Sequence, residues 1–138
     1  MLAYYVRDLE IVLEDSVGTQ MTDRDVSERK WGRYEILYQG PANDGYIKVK
    51  RLILNPLSST SRQRHKFREE HFFPLLGMVM LVMDARGTSG VRGCNIIDGD
   101  RVPPGKWHQL INETEKPASV LEVQIGSVVS EDDIERAG

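Results

Sequence analysis

The feature that most constrains this chain is a set of nitrogen and oxygen donors in two segments that lie far apart in sequence. The first segment contains Gln63, His65 and Glu70, and the second contains His108. Imidazole and carboxylate groups are donors that divalent cations bind in proteins. The third histidine of the chain, His71, directly follows Glu70. Donors so distant along the chain share one ion only if the fold brings them together, so the pattern predicts a metal site built by tertiary structure.

The spacing of these donors suits β-strands. Gln63 and His65 are two residues apart, so on a strand both side chains leave the same face. Glu70 then returns on a neighbouring strand, and the Pro103-Pro104-Gly105 segment turns the chain before His108. His71 is expected to point away from Glu70 and to lie outside the group of ligands.

Alternating apolar residues and turn signals predict an all-β domain. Tyr46 to Leu54 alternates well, with Lys48 and Lys50 on the face opposite Val49 and Arg51. Many short strands at turn-marked intervals favour a sandwich or barrel over a βα fold. Ser130 followed by three acidic residues predicts a short C-terminal helix. The predicted strands are two within 31–54 joined by a turn at 40–45, a buried pair or one kinked strand within 71–84, and single strands at 91–97, 107–112 and 119–125, with hairpin turns at 87–90 and 98–100.

Length and charge restrict the class of protein. A chain of 138 residues forms one domain, and its net charge of -3 gives no indication of nucleic-acid binding. The apolar run at 75–83 is too short to cross a bilayer. An early charge at Arg7 argues against a signal peptide, and the single Cys94 fits a reducing cytoplasm. Residues 1–29 are expected to be an N-terminal extension, with a possible strand and a polar linker.

Six stretches of the chain carry a family resemblance in their order and spacing. They are Trp31-Gly32-x-Tyr34-Glu35, 46–52, Gln63-x-His65-x2-Arg68-x-Glu70-His71, Pro103-x-Gly105-x-Trp107-His108, Glu122-Val123-Gln124-x-Gly126 and 131–136. The two donor segments resemble the signature motifs of the cupin superfamily, with Gln63 in place of the usual leading histidine. The flanking sequence resembles the cupin domain of type II mannose-6-phosphate isomerases, which many bacteria fuse behind a mannose-1-phosphate guanylyltransferase domain. No Gly-rich phosphate loop precedes the cupin segment here.

The resemblance implies a single-domain cupin (jelly-roll) β-barrel over residues 30–138, and a homodimer to whose interface residues 1–29 contribute. It also implies one divalent metal ion held by Gln63, His65, Glu70 and His108. Zinc is the first choice, with manganese, iron, nickel or cobalt as alternatives. An iron oxygenase is disfavoured because such sites usually have a third histidine at the position of Gln63.

The implied activity is the conversion of mannose 6-phosphate to fructose 6-phosphate through an enediol, with a small phosphorylated sugar as the partner. The alternative is a non-catalytic cupin that binds a sugar or sugar nucleotide. Glu122 and Gln124 share one face of a strand, which either is exposed to solvent or lines the cavity. The expected catalytic residues are Arg136, Glu122 and Lys50, and the expected substrate-binding residues are Arg68, Lys48 and Gln124.

The chain departs from the family pattern at several positions near the expected site. Leu57 stands where cupins usually have glycine, and Phe67 where the family usually has histidine. Val128 and Ser130 replace the usual tyrosine and glycine of the tail segment. None of these changes removes one of the four expected ligands, but those in the tail favour the non-catalytic alternative.

Overall fold

The computed structural model describes residues 25–84 and 91–137. The hairpin turn expected at 87–90 and most of the N-terminal extension (1–24) lie outside these residues. Within them the chain contains twelve β-strands and no helix able to span a bilayer. The strands are β1 (Val26–Arg29), β2 (Gly32–Ala42), β3 (Gly45–Leu54), β4 (Ser58–Ser59), β5 (Gln63–Arg64), β6 (Arg68–Leu76), β7 (Met80–Asp84), β8 (Val91–Asn95), β9 (Asp100–Val102), β10 (His108–Asn112), β11 (Ala118–Gly126) and β12 (Glu135–Arg136).

The strands form two antiparallel sheets that confirm the predicted all-β class. The first has the order β1-β2-β3-β11-β6-β9, and the second has the order β12-β5-β10-β7-β8, with β4 also paired to β10. The predicted strands within 31–54 are β2 and β3, joined by a two-residue turn at Asn43 and Asp44. The apolar core lies between the sheets and consists of Leu52, Leu54, Phe72, Val79, Leu81, Ile96, Val102, Leu110, Ala118 and Val120.

The inward-facing side chains change character along the strands. On β3, Leu52 and Leu54 belong to the core, whereas Lys48 and Lys50 continue the same buried face. Opposite them on β11, Gln124 pairs with Lys48 and Glu122 pairs with Lys50. Strands β6 and β10 show the same change, and their polar inward residues are Arg68, Glu70 and His108. One end of the sandwich is therefore an apolar core, and the other end is a buried polar site.

Two expectations from the sequence need correction. The short C-terminal helix is wrong: residues 131–133 form a turn, and β12 follows. Local acidic residues predicted a helix start, but the side chains of Glu131 and Asp133 bind groups far away in sequence. The segment 71–84 forms parts of β6 and β7, but in different sheets, and Leu75, Leu76 and Met78 at the corner between them are exposed rather than buried.

Candidate functional site

Three of the predicted metal ligands meet at the polar end of the sandwich. Glu70 lies on β6, His108 begins β10, and His65 follows β5. Glu70 Oε1 is 2.8 Å from His108 Nε2 and 3.2 Å from His65 Nε2. One potential ligand atom from each residue lies within 4.8 Å of the other two, and all three residues are buried.

The orientation of these groups fits a bound cation. His65 Nδ1–H donates to the Asp133 carbonyl at 2.6 Å, and His108 Nδ1–H donates to the Lys106 carbonyl at 3.0 Å. A carbonyl only accepts, so each ring carries a proton on Nδ1, and Nε2 is the nitrogen left to bind a cation. Within the part of the chain that the structure describes, Glu70 Oε1 and His108 Nε2 are buried and have no hydrogen-bond partner. Such buried atoms cost about 1–3 kcal/mol each, and a divalent cation would satisfy both.

Gln63, the fourth predicted ligand, lies next to this cluster. It is directly opposite His108 in the pairing of β5 with β10. Directly paired residues on neighbouring strands project from the same face of the sheet. The structure thus places Gln63 on the side of His108, and its coordination of a metal stays a prediction. Asn112, at the end of β10, serves the fold: its side-chain amide donates to the carbonyls of Leu54, Asn55 and Lys116.

A second group of buried polar side chains adjoins the ligands on the first sheet. Gln124 Nε2 donates to Glu70 Oε2 at 3.0 Å and also to Glu122 Oε1. Arg68 Nε lies 3.5 Å from Glu70 Oε2, and its Nη1 donates to the Ser130 carbonyl at 2.8 Å. The face of β11 that carries Glu122 and Gln124 therefore lines the interior, which resolves the two options left by the sequence.

The two carboxyl groups of this cluster have opposite pKa shifts. Burial alone would raise the pKa of Glu70, but His108 and His65 outweigh it and hold that pKa well below its ordinary value. Burial and the nearby Glu70 charge raise the pKa of Glu122 to about 7, against the opposing effects of Lys50 and Arg68. Burial lowers the pKa of His108, yet contact with Glu70 gives a net increase. The site therefore holds one firmly ionised carboxylate and one that titrates near neutral pH.

A residue that the sequence did not assign to the site, Glu131, connects the two buried lysines. Its Oε1 contacts the Nζ atoms of both Lys48 and Lys50, at 3.4 Å for Lys48. Burial raises the pKa of Glu131, but Lys50 and Lys48 outweigh this and lower it overall. Lys50 Nζ also lies 4.1 Å from the centre of the Tyr34 ring. No local sequence pattern indicates this contact, because the partners of Glu131 are more than 80 residues away in the chain.

These groups surround a cavity of about 390 Å³, within the roughly 300–1,000 Å³ of small-molecule sites. Two of the predicted site residues lie behind its wall: Lys48 contacts Glu131, and His108 contacts Glu70. The predicted site residues in the wall are Lys50, Gln63, His65, Arg68, Glu70, Glu122, Gln124 and Arg136, and the wall residues that were not predicted include Tyr34, Ser59, Thr60, Ser61, Glu131 and Ile134.

The other cations near the first motif face away from this cavity. Arg62 pairs with Asp84 and Arg64 pairs with Glu135, and the arginine side chains are 43% and 39% exposed. Arg68, in contrast, is only 3% exposed. His71 lies 3.6 Å from Glu69, outside the ligand cluster as predicted. Among these cations, only Arg68 is positioned to contact a ligand in the cavity.

The sequence matches one family over most of its length. Residues 16–138 match the family described as "Mannose-6-phosphate isomerase C-terminal". The chain is 29% identical over 131 residues to the alginate biosynthesis protein AlgA of Pseudomonas syringae, covering 95% of this chain and 26% of AlgA. It is 33% identical over 108 residues to the mannose-1-phosphate guanylyltransferase of Escherichia coli, covering 78% of this chain and 21% of that protein. The chain thus spans about a quarter of these relatives.

Solved structures share the fold at low sequence identity. The capsular polysaccharide assembling protein CapF of Staphylococcus aureus superposes with a TM-score of 0.69 at 12% identity, over 80% of this chain and 31% of CapF. The oxalate decarboxylase of Lactobacillus farciminis gives 0.65 at 20% identity, over 84% of this chain and 34% of that chain. At this level of identity the likeness concerns the fold alone, and it confirms the predicted cupin barrel.

Proposed function

Because the chain belongs to the family of mannose-6-phosphate isomerase C-terminal domains, we propose that it is a metal-dependent sugar-phosphate isomerase that interconverts mannose 6-phosphate and fructose 6-phosphate. Membership of this family supports a role in sugar metabolism, and the specific reaction is our proposal. The observation that carries it is the buried His65–Glu70–His108 cluster beside a titratable acid and several cations. One route to an aldose–ketose conversion combines a cation that polarises the carbonyl with a base that moves the proton.

His65, Glu70, His108 and Gln63 would hold one divalent ion, zinc in the first instance. When bound, the ion polarises the sugar carbonyl and so makes the neighbouring C–H more acidic. Glu70 suits the role of an anionic ligand because it remains ionised at neutral pH. The two histidines suit the role of neutral ligands because both Nε2 atoms lie close to the same oxygen of Glu70.

Glu122 is our choice for the base that moves the proton between C1 and C2 through an enediol. In the metal-free site its pKa is raised to about 7, and a carboxyl group that titrates near neutral pH both takes up and returns a proton. Gln124 donates to Glu122 Oε1, which leaves Oε2 to carry the proton. Gln124 also fixes the position of Glu122 relative to Glu70, because it donates to both carboxylates.

The cations around the cavity would bind the phosphate and stabilise developing negative charge. The Arg68 guanidinium is buried at the wall, and its planar fork suits a phosphate or a pair of sugar oxygens. Arg136 pairs with Gln63 across β12 and β5 and so projects from the same face. Lys50 lies in the wall, and Lys48 lies two residues before it on the same strand face.

One contact favours the alternative, a non-catalytic cupin that binds a sugar or sugar nucleotide. The single negative charge of Glu131 partly neutralises Lys48 and Lys50, so an anionic substrate gains less from these lysines while the contact persists. A binding module would tolerate this neutralisation more readily than an enzyme that needs the lysines for phosphate.

Turnover of mannose 6-phosphate in the presence of added zinc or manganese tests the proposal. We expect conversion to fructose 6-phosphate without any nucleotide. Arg136→Gln should lower kcat far more than it raises KM, as for an interaction made mainly in the transition state. Arg64→Gln is the matched control, since Arg64 pairs with Glu135 outside the main cavity. Binding of mannose 6-phosphate by calorimetry without turnover would instead establish the binding module.

A further inference from the structure

A single residue of the C-terminal segment, Asp133, holds the loop that carries His65. Its carboxylate accepts the backbone N–H of Lys66 through Oδ1 and that of Phe67 through Oδ2, both at 3.0 Å. Its own carbonyl accepts His65 Nδ1–H at 2.6 Å. Asp133 is therefore bonded to the His65 ring and to the two residues that follow it.

These contacts determine both the position and the tautomer of the ring. Hydrogen bonds from two successive N–H groups to a carboxylate are charge-assisted, and they fix the loop relative to Asp133. The Asp133 N–H donates to the Ser130 carbonyl at 3.1 Å, so the turn itself is closed. With the loop and the turn both held, the Asp133 carbonyl keeps the proton on Nδ1 and directs Nε2 toward Glu70.

We propose that Asp133 is a positioning residue for His65, which it orients and holds in the Nδ1–H tautomer so that Nε2 is presented to a divalent cation. This inference rests on the metal site of the proposed function but is independent of the isomerase reaction. Asp133 touches neither the cation nor the substrate; its effect passes through the His65 ring and the backbone at 66–67.

Asp133→Asn is the informative substitution because it keeps the size of the side chain. An amide offers one acceptor oxygen, and its NH₂ group would face a backbone N–H donor. Two controls are available on the same segment. Asp132→Asn makes the same change of charge at the neighbouring exposed residue, and Glu135→Gln removes the ion pair of the segment with Arg64 without affecting a contact to His65.

The first measurement is zinc affinity, by titration in competition with a chromophoric chelator. Loss of a group that orients a ligand typically weakens metal binding by about 10- to 100-fold, and we expect this for Asp133→Asn but not for either control. Equal weakening in Asp133→Asn and Asp132→Asn would overturn the proposal. Zinc binding with this pattern but no turnover of mannose 6-phosphate would refute only the isomerase function.

The second measurement needs no variant and no metal. Long-range ¹H–¹⁵N spectra of the histidine rings in the metal-free wild-type protein report which nitrogen of His65 carries the proton. The proposal expects a proton on Nδ1 and a bare Nε2 at a pH where the ring is neutral. A neutral ring protonated on Nε2 would overturn the proposal even if Asp133→Asn failed to fold.

Discussion

Glu122 should make the metal-free protein less stable as the pH rises. Burial and the charge of Glu70 raise its pKa from the ordinary value of 4.5 to about 7. The folded state therefore binds this proton more tightly than the unfolded chain does. The resulting contribution to stability is fully present below pH 4.5 and is lost as the pH rises through about 7.

The size of this effect follows from the difference between the two pKa values. Each unit corresponds to about 1.4 kcal/mol, so the rise from 4.5 to about 7 amounts to roughly 3 kcal/mol of unfolding free energy. Urea unfolding of the metal-free protein, from about pH 4.5 to about pH 8, measures it directly. The Glu122→Gln variant keeps a side chain of similar shape at this position but has no charge there to titrate. The free energy of unfolding of this variant should therefore fall much less over this pH range.

The comparison of the two proteins isolates Glu122 from other groups. The raised pKa of His108 also makes stability fall with increasing pH, but His108 is present in both proteins. Glu113→Gln, a change at an exposed acid in a loop, is the control and should follow the wild-type curve. Parallel curves for the wild-type protein and Glu122→Gln would refute the inference that Glu122 is a buried acid with a pKa near neutrality.

Four further outcomes are expected. Protein purified without chelator should contain about one divalent metal per chain by elemental analysis, and the double variant His65→Ala/His108→Ala should lose it. Arg68→Gln should weaken the binding of mannose 6-phosphate, measured by calorimetry, by about 1.5–3 kcal/mol. An equal effect of Arg64→Gln would contradict a specific contact of Arg68 and would indicate a general attraction of the phosphate by the positive charges of this segment. Leu57→Gly should raise the Tm. A left-handed backbone costs an L-residue about 1–2 kcal/mol, and the larger entropy that glycine loses on folding offsets only about 0.5–1 kcal/mol of the stability gained. Sedimentation should give the mass of a homodimer; a monomer at every concentration would contradict that prediction.

The sequence predicted the strands well because alternation and turns are local properties. The two-residue periodicity of 46–54 is realised in β3, with Lys48 and Lys50 on the buried face. Leu57, where cupins usually have glycine, has a φ of 52° and is 69% exposed, so the departure falls at a position that favours glycine. The convergence of His65, Glu70 and His108 agrees with the motif spacing together with the family resemblance.

The faces of the central strands could not be assigned from polarity alone. On β11 the polar residues Glu122 and Gln124 point inward, whereas Leu121, Val123 and Ile125 lie on the opposite face. This reverses the usual rule of apolar inside and polar outside. The reversal occurs only where the strands reach the polar end of the sandwich, and that position depends on the packing of both sheets.

The C-terminal segment was the main failure of sequence reasoning, and the cause is distance along the chain. Ser130 followed by Glu131, Asp132 and Asp133 resembles the start of a helix. In the structure, Glu131 binds lysines of β3, and Asp133 binds the loop after β5. These carboxylates bind partners in distant segments, which a local reading of helix capping does not include.

At two positions that depart from the family pattern, Phe67 and Ser130, the backbone makes the contacts to the site. Ser130 contacts Arg68 through its carbonyl, which a glycine would also supply. Phe67 donates its N–H to Asp133 and accepts from the N–H of Ser127, while its side chain is 46% exposed. Val128 is likewise partly exposed. The cluster of predicted ligands, acids and cations stays assembled despite these substitutions, so the altered residues do not by themselves support the non-catalytic alternative.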